Sequence, residues 1–148
     1  MQIAILYGTE TGNAEMLAED IASHLSDQDA SVTNLSDFDP AEFSTETFYI
    51  VVCSTYGDGE LPASAQPFAE RMSAQKPDLD GVHFAVFGMG DSEYPETFNY
   101  GGKHIEEILP AAGATLVGER LAHDASGIEM ADDLAFPWVE TVLAERVS

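Results

Sequence analysis

The sequence predicts a doubly wound α/β domain: a five-stranded parallel sheet with helices on both faces. Three observations predict it. Five short apolar runs of β character alternate with stretches of helical spacing. The connections are short, and strict alternation of this kind makes parallel strands joined by helical crossovers. The third run, Phe48–Cys53 (FYIVVC), is apolar throughout, as expected for a central strand covered on both faces. In such a sheet the crossovers are right-handed, and ligands sit beyond the carboxyl ends of the strands where the winding reverses.

The first strand is read over Ile3–Tyr7 and runs into the loop GTETGN. Apolar residues then recur at helical spacing: Leu17, Ala18, Ile21, Ala22 and Leu25. A strand, a loop of glycines and hydroxyls, and a helix start together make an anion site. The free N–H groups of the first turn point outward, and the helix dipole adds partial positive charge. Thr9, Thr11 and Asn13 add side-chain donors. A plain capped helix fits the same residues, with Thr9 or Thr11 as N-cap. The lysine of a nucleotide P-loop is absent, and so is the Gly-x-Gly-x-x-Gly spacing of a dinucleotide site. No Lys or Arg occurs in the first 70 residues, so a phosphate here would be held by neutral donors.

The second strand is read over Val32–Leu35, followed by a short helical stretch around Pro40–Phe43. After the third strand a helix is expected from near Ser64. It carries Ala65, Phe68, Ala69 and Met72 on one side and Pro67 in its first turn, where proline is tolerated. The fourth strand is Phe84–Phe87. A helix with Ile105, Ile108, Leu109 and Ala112 then stops at Gly113. The fifth strand is Ala114–Val117. The last helix shows Ala131, Leu134, Ala135, Trp138, Val139, Val142 and Leu143, and Pro137 either kinks it or marks its start.

A length of 148 residues suits one domain, 1–148, with a real core. The sequence has no run of about 18 apolar residues and no basic, apolar leader, so neither a membrane span nor a signal peptide is expected. The start at Met1 favours a complete small protein. Cys53 is the single cysteine, which suits a reducing cytoplasm. Asp and Glu total 27 against five Lys and Arg, a formal net charge of -22. Such a field repels nucleic acid and anionic membrane and attracts a basic protein surface. High-salt adaptation or plain solubility accounts for the same acidity. The four histidines are scattered without metal-ligand spacing, so no metal is expected.

Two more loops share the edge of the first. After strand three comes STYGDGELP, from Ser54 to Pro62; after strand four comes GMGDSEYPETFN, from Gly88 to Asn99. Each carries an aromatic near glycines, and two tyrosines on neighbouring loops can sandwich a flat ring. One loop for a phosphate and two for a flat ring describe a mononucleotide-sized ligand.

With TETGNAE at Thr9–Glu15, these segments resemble the three flavin-binding loops of flavodoxins. The chain is similar to the FMN domains of diflavin reductases, such as the sulfite reductase flavoprotein, and to MioC-type short flavodoxins. The likeness extends to His123–Gly127 and the Trp138 helix. It implies the flavodoxin-like strand order 2-1-3-4-5 and FMN as cofactor. It assigns Thr9, Glu10, Thr11, Gly12, Asn13 and Ala14 to the FMN phosphate. Ser54, Thr55, Tyr56, Gly57, Asp58 and Gly59 run along one side of the isoalloxazine ring. Gly88, Gly90, Asp91, Tyr94, Phe98 and Asn99 line the other, with Tyr94 as stacking partner, and Asp124 is an acid close to the flavin. Gly57 is the glycine whose peptide can rotate to meet flavin N5, a rotation that needs positive φ.

The function the resemblance implies is electron transport. A small cytoplasmic flavoprotein, a monomer, would shuttle single electrons between an NADPH-dependent reductase and an acceptor protein. It would be an electron carrier more than an independent oxidoreductase. An FMN-dependent quinone or azo reductase, or an excised FMN domain of a diflavin reductase, are the alternatives on the same fold. A signalling receiver would need an acceptor Asp ending strand three, where Cys53 and Ser54 stand. Cys53 itself reads as a core residue, and Trp138 as part of an apolar helical face.

Overall fold

The computed structural model describes residues 2–8, 13–25, 30–39, 42–54, 66–75, 77–90, 107–117, 121–124 and 131–146. Strands and helices alternate along the chain. They are β1 (Gln2–Gly8), α1 (Asn13–His24), β2 (Ala30–Asn34), β3 (Thr47–Ser54), α2 (Gln66–Gln75) and β4 (His83–Gly90). A helix α3 follows, described over 107–111, then β5 (Thr115–Leu116), β6 (Leu121–Asp124) and α4 (Ala131–Arg146). The sheet order is β2-β1-β3-β4-β5, with β6 also on β4, and every pairing is parallel. This is the doubly wound order 2-1-3-4-5 expected from the sequence.

Strand alternation divides the core into two layers. Ile3, Ile5 and Tyr7 of β1, Phe48, Ile50 and Val52 of β3, and Ala85 and Phe87 of β4 face one side. They pack with Leu17, Ala18 and Ile21 of α1 and Ala135, Val139 and Val142 of α4. Leu6, Tyr49, Val51, Cys53, Phe84 and Val86 face the other side, against Phe68 and Met72 of α2 and Leu109 of α3. β3 and β4 are therefore buried on both faces, which is why their apolar runs do not alternate with polar residues.

Three boundaries differ from the sequence reading. Leu35, expected to end the second strand, begins a single 3-10 turn, Leu35–Asp37. Asn34 caps it by accepting the Ser36 N–H at 3.0 Å, so the amide side chain ends the strand. The expected helical stretch at 40–43 falls partly outside the described residues; within it Glu42 lies in a 3-10 turn, its N–H donating to the Asp39 carbonyl at 2.8 Å. Phe43 follows the turn and packs edge-on against Phe38 and Tyr49, at ring-centroid distances of 4.9 and 4.8 Å.

The fourth strand runs on to Gly90, so Gly88, Met89 and Gly90 belong to β4 and not to the loop after it. Their main-chain pairing with β3 and β6 outweighs the weak strand preference of glycine. The fifth strand comes in two pieces. His83 and Phe84 pair with Thr115 and Leu116, whereas Phe87 and Gly88 pair with Leu121 and Ala122. From Phe84 to Phe87 the chain advances three residues, and from Leu116 to Leu121 it advances five. The edge strand therefore takes up two extra residues between its halves. Pro137, finally, lies inside α4, which begins at Ala131. Burial of Ala135, Val139 and Val142 along one stripe outweighs the roughly 3 kcal/mol that an interior proline costs.

Candidate functional site

The carboxyl ends of four strands meet in one row. Gly8 of β1 is opposite Cys53 of β3, Cys53 is opposite Gly88 of β4, and Gly88 is opposite Ala122 of β6. One residue further on, Ser54 is opposite Met89 and Met89 opposite His123; after them, Gly90 is opposite Asp124. At the usual spacing between strands the row spans about 14 Å. Every segment assigned to the ligand by resemblance leaves from, or arrives at, this edge.

In this row Gly8, Cys53, Gly88 and Ala122 are all small; the preceding row, on the opposite face, is Tyr7, Val52, Phe87 and Leu121, and Ser54, Met89 and His123 follow the small row. Small residues at the rim let a ligand approach the main chain closely. Behind the bulky row Trp138 of α4 meets Phe87 edge-on, with ring centroids 5.6 Å apart.

The structure places the expected site residues as follows. Asn13 and Ala14 open α1, so their N–H groups belong to its free first turn. Ser54 ends β3, Gly88 and Gly90 lie in the last part of β4, and Asp124 ends β6. These residues come together at one edge. Thr9, Glu10, Thr11, Gly12, Thr55, Tyr56, Gly57, Asp58, Gly59, Asp91, Tyr94, Phe98 and Asn99 lie outside the described residues.

Among the described residues at this edge there is no Lys or Arg. His24 stands at the far end of α1, stacked on Phe136 and 3.4 Å from Glu140. The Arg71 guanidinium donates to the Phe38 carbonyl at 3.2 Å and is committed to that loop. Among the described residues no three His, Cys, Asp or Glu are grouped to hold a metal ion. Cys53 lies in the rim row but is fully buried, and burial pushes its thiol up to about 12. At neutral pH it is a protonated core residue, as expected.

One contact at this edge was not singled out from the sequence. The Tyr7 hydroxyl donates to Oε2 of Glu15 at 3.1 Å, joining the end of β1 to the first turn of α1. Burial and the Glu15 carboxylate raise the Tyr7 pKa, so the phenol remains a donor well above neutral pH. The available signal was a tyrosine at the last large inward position of the strand with a glutamate early in the helix.

The comparisons with known proteins agree with this geometry. The flavodoxin family model matches residues 5–138. A MioC homologue of Haemophilus influenzae is 32% identical over 143 residues, covering 97% of this chain and 97% of that protein. The sulfite reductase [NADPH] flavoprotein alpha-component of Bacillus subtilis is 34% identical over 145 residues, covering 96% of this chain. The matched stretch is only 23% of that protein's length. A flavodoxin of Pseudomonas aeruginosa, solved as a cysteine-to-serine variant, superposes with a TM-score of 0.83 at 32% identity and 99% coverage of both chains. A parallel sheet wound 2-1-3-4-5, a row of small residues at the switch between β1 and β3, and a match over most of the chain lead to one conclusion: the chain belongs to the flavodoxin family, the FMN-binding electron-transfer proteins.

Proposed function

We infer that this chain carries electrons singly between a separate NADPH-dependent reductase and an acceptor protein, with FMN held at the rim of β1, β3, β4 and β6. The observation that carries the reading is the registered row of small residues, with the free first turn of α1 beside it. FMN fits that donor set. A phosphate needs N–H and hydroxyl donors, which the α1 start and the GTETGN segment supply without a basic side chain. A flat ring needs main-chain approach and aromatic faces, which the glycine-ended strands and the tyrosines of the next two loops supply.

In this reading Thr9 to Ala14 bind the phosphate. Ser54 to Gly59 and the segment from Gly88 to Asn99 flank the ring, with Tyr94 stacked on it and Asp124 near it. FMN supplies the redox chemistry; these residues bind it, orient it and exclude water from it. The net charge of -22 favours a partner with a basic docking face, and encounter with such a face is accelerated by charge. Relatives that are parts of NADPH-dependent flavoproteins support a redox partner of that class. No helix among the described residues is long and apolar enough to cross a membrane. We place the chain in the reducing cytoplasm as a monomer of one domain, 1–148.

The match to one segment of a much longer reductase favours a second arrangement, in which the same module works with an attached reductase. One experiment tests the carrier reading. Purified protein is reconstituted with FMN and mixed with NADPH, with and without an added NADPH-dependent flavoprotein reductase. Flavin absorption that bleaches only when the reductase is present supports a carrier. Rapid bleaching by NADPH alone shows a self-sufficient quinone- or azo-reductase type of enzyme.

A further inference from the structure

The segment 9–12 is bracketed by two residues that touch. Tyr7 is 8% exposed, and its ring packs in the layer beneath α1 and α4. Its hydroxyl donates to Glu15 at 3.1 Å. Asn34, its register partner on β2, adds a side-chain hydrogen bond that acts against the rise in the Tyr7 pKa. Asn34 in turn accepts the Ser36 N–H at 3.0 Å. A polar chain from Ser36 through Asn34 and Tyr7 to Glu15 therefore joins the ends of β2 and β1 to the start of α1.

Glu15 is the third residue of α1. An acid at that position ordinarily folds back onto the helix N-terminus and takes a free N–H there, helped by the dipole. Those are the donors that an anionic ligand at the same helix end would use. A carboxylate settled there would both occupy the donors and repel the anion. Here one oxygen of the carboxylate, Oε2, accepts from a phenol on the neighbouring strand.

We propose that Tyr7 is a positioning residue for the cofactor phosphate: it holds the Glu15 carboxylate away from the α1 N-terminus and so keeps that terminus free for the anion. This rests on the reading that Thr9 to Ala14 bind the phosphate. The consequence is a discrimination, because riboflavin has the same ring and no phosphate. Tyr7 acts on the affinity for FMN and not on the affinity for riboflavin.

The test titrates apoprotein with FMN and with riboflavin, for wild type, Tyr7→Phe, and Tyr7→Phe combined with Glu15→Ala. Phenylalanine keeps the ring packing and removes only the hydroxyl. Tyr7→Phe is expected to weaken FMN roughly tenfold, the scale of one hydrogen bond to a charged group. Riboflavin affinity should stay within twofold. The double variant has no carboxylate left to compete, so its FMN affinity should return towards wild type. A role in folding alone would instead lower both affinities together, and the second substitution would not restore either. Equal losses for the two flavins, or a double variant as weak as Tyr7→Phe, would overturn the proposal. A wild type that binds FMN no better than riboflavin would instead overturn the phosphate-loop reading beneath it.

Discussion

Trp138 stands edge-on to Phe87, with ring centroids 5.6 Å apart and planes inclined at 67°. Phe87 is the residue before Gly88, so the indole lies just behind the carboxyl edge of the sheet, where the proposed site lies. It is also the only tryptophan in the sequence. Titrating apoprotein with FMN should therefore quench the indole emission progressively, with the break at one equivalent. Emission that stays constant while FMN binds would place the cofactor away from this edge.

Cys53 gives a pH prediction. Burial holds its thiol neutral up to about 12, against an ordinary value near 9. The unfolded chain loses that proton first, so between about pH 9 and 12 the unfolded state binds fewer protons than the folded one. Stability is complete below pH 9 and falls as pH rises through that window, by on the order of 4 kcal/mol from this group. Tyr7 and Tyr49, both raised chiefly by burial, add losses of the same sign at higher pH. Urea unfolding at pH 8 and pH 11 should show a smaller difference for Cys53→Ala than for wild type. An identical difference in both proteins would refute the assignment. The native thiol should also resist alkylating reagents at neutral pH.

Gly113 closes α3 in a left-handed conformation, with φ +111°. The Ala114 N–H bonds to the Leu109 carbonyl at 3.1 Å and the Gly113 N–H to the Pro110 carbonyl at 3.0 Å, the paired pattern of a glycine-terminated helix. A Cβ at this position would lie 3.1 Å from the backbone nitrogen of Asp80. Gly113→Ala therefore meets both an unfavourable φ and a close main-chain atom, and should cost about 1–3 kcal/mol. The denaturant midpoint should fall with the slope unchanged. A midpoint within error of wild type would show that the turn has room to relax.

That glycine also shows what the sequence could disclose. A helical pattern ending in Gly is a local signal, and so is FYIVVC for a strand buried on both faces. Both were legible because one short segment holds the whole cause. The divided edge strand was not legible. LAHD carries no β-branched residue, and it is a strand because β4 offers it a ladder from Phe87 to Gly90. The glycines at the end of β4 read as loop for the same reason: their pairing partners lie on other strands. The site divides likewise. The family's cofactor was readable from the residue types of the loops, and the assembly of Asn13, Ser54, Gly90 and Asp124 at one edge follows from strand order. The Tyr7–Glu15 contact was not readable, since it crosses from a period-two element into a helix through an intervening loop.

Charge leads to the last prediction. Exposed acids are spread over the surface: Glu19 and Asp20 on α1, Glu70 on α2, Asp78 and Asp80 before β4, Glu107 on α3 and Glu140 on α4. With five Lys and Arg against 27 acids, most carboxylates have no cation to face, and the folded state concentrates their repulsion. Salt shortens the range of that repulsion, from about 10 Å at 0.1 M to about 3 Å at 1 M. Thermal unfolding in NaCl should therefore shift upward, by roughly 5 °C for a gain of 1–2 kcal/mol in a domain of this size. Most of the rise belongs at low salt, where screening changes fastest. A Tm that falls with added NaCl would show that attractive charge pairs outweigh the net repulsion. On the proposed phosphate site, FMN affinity should rise over the same range, because its phosphate would approach a protein of like sign through uncharged donors.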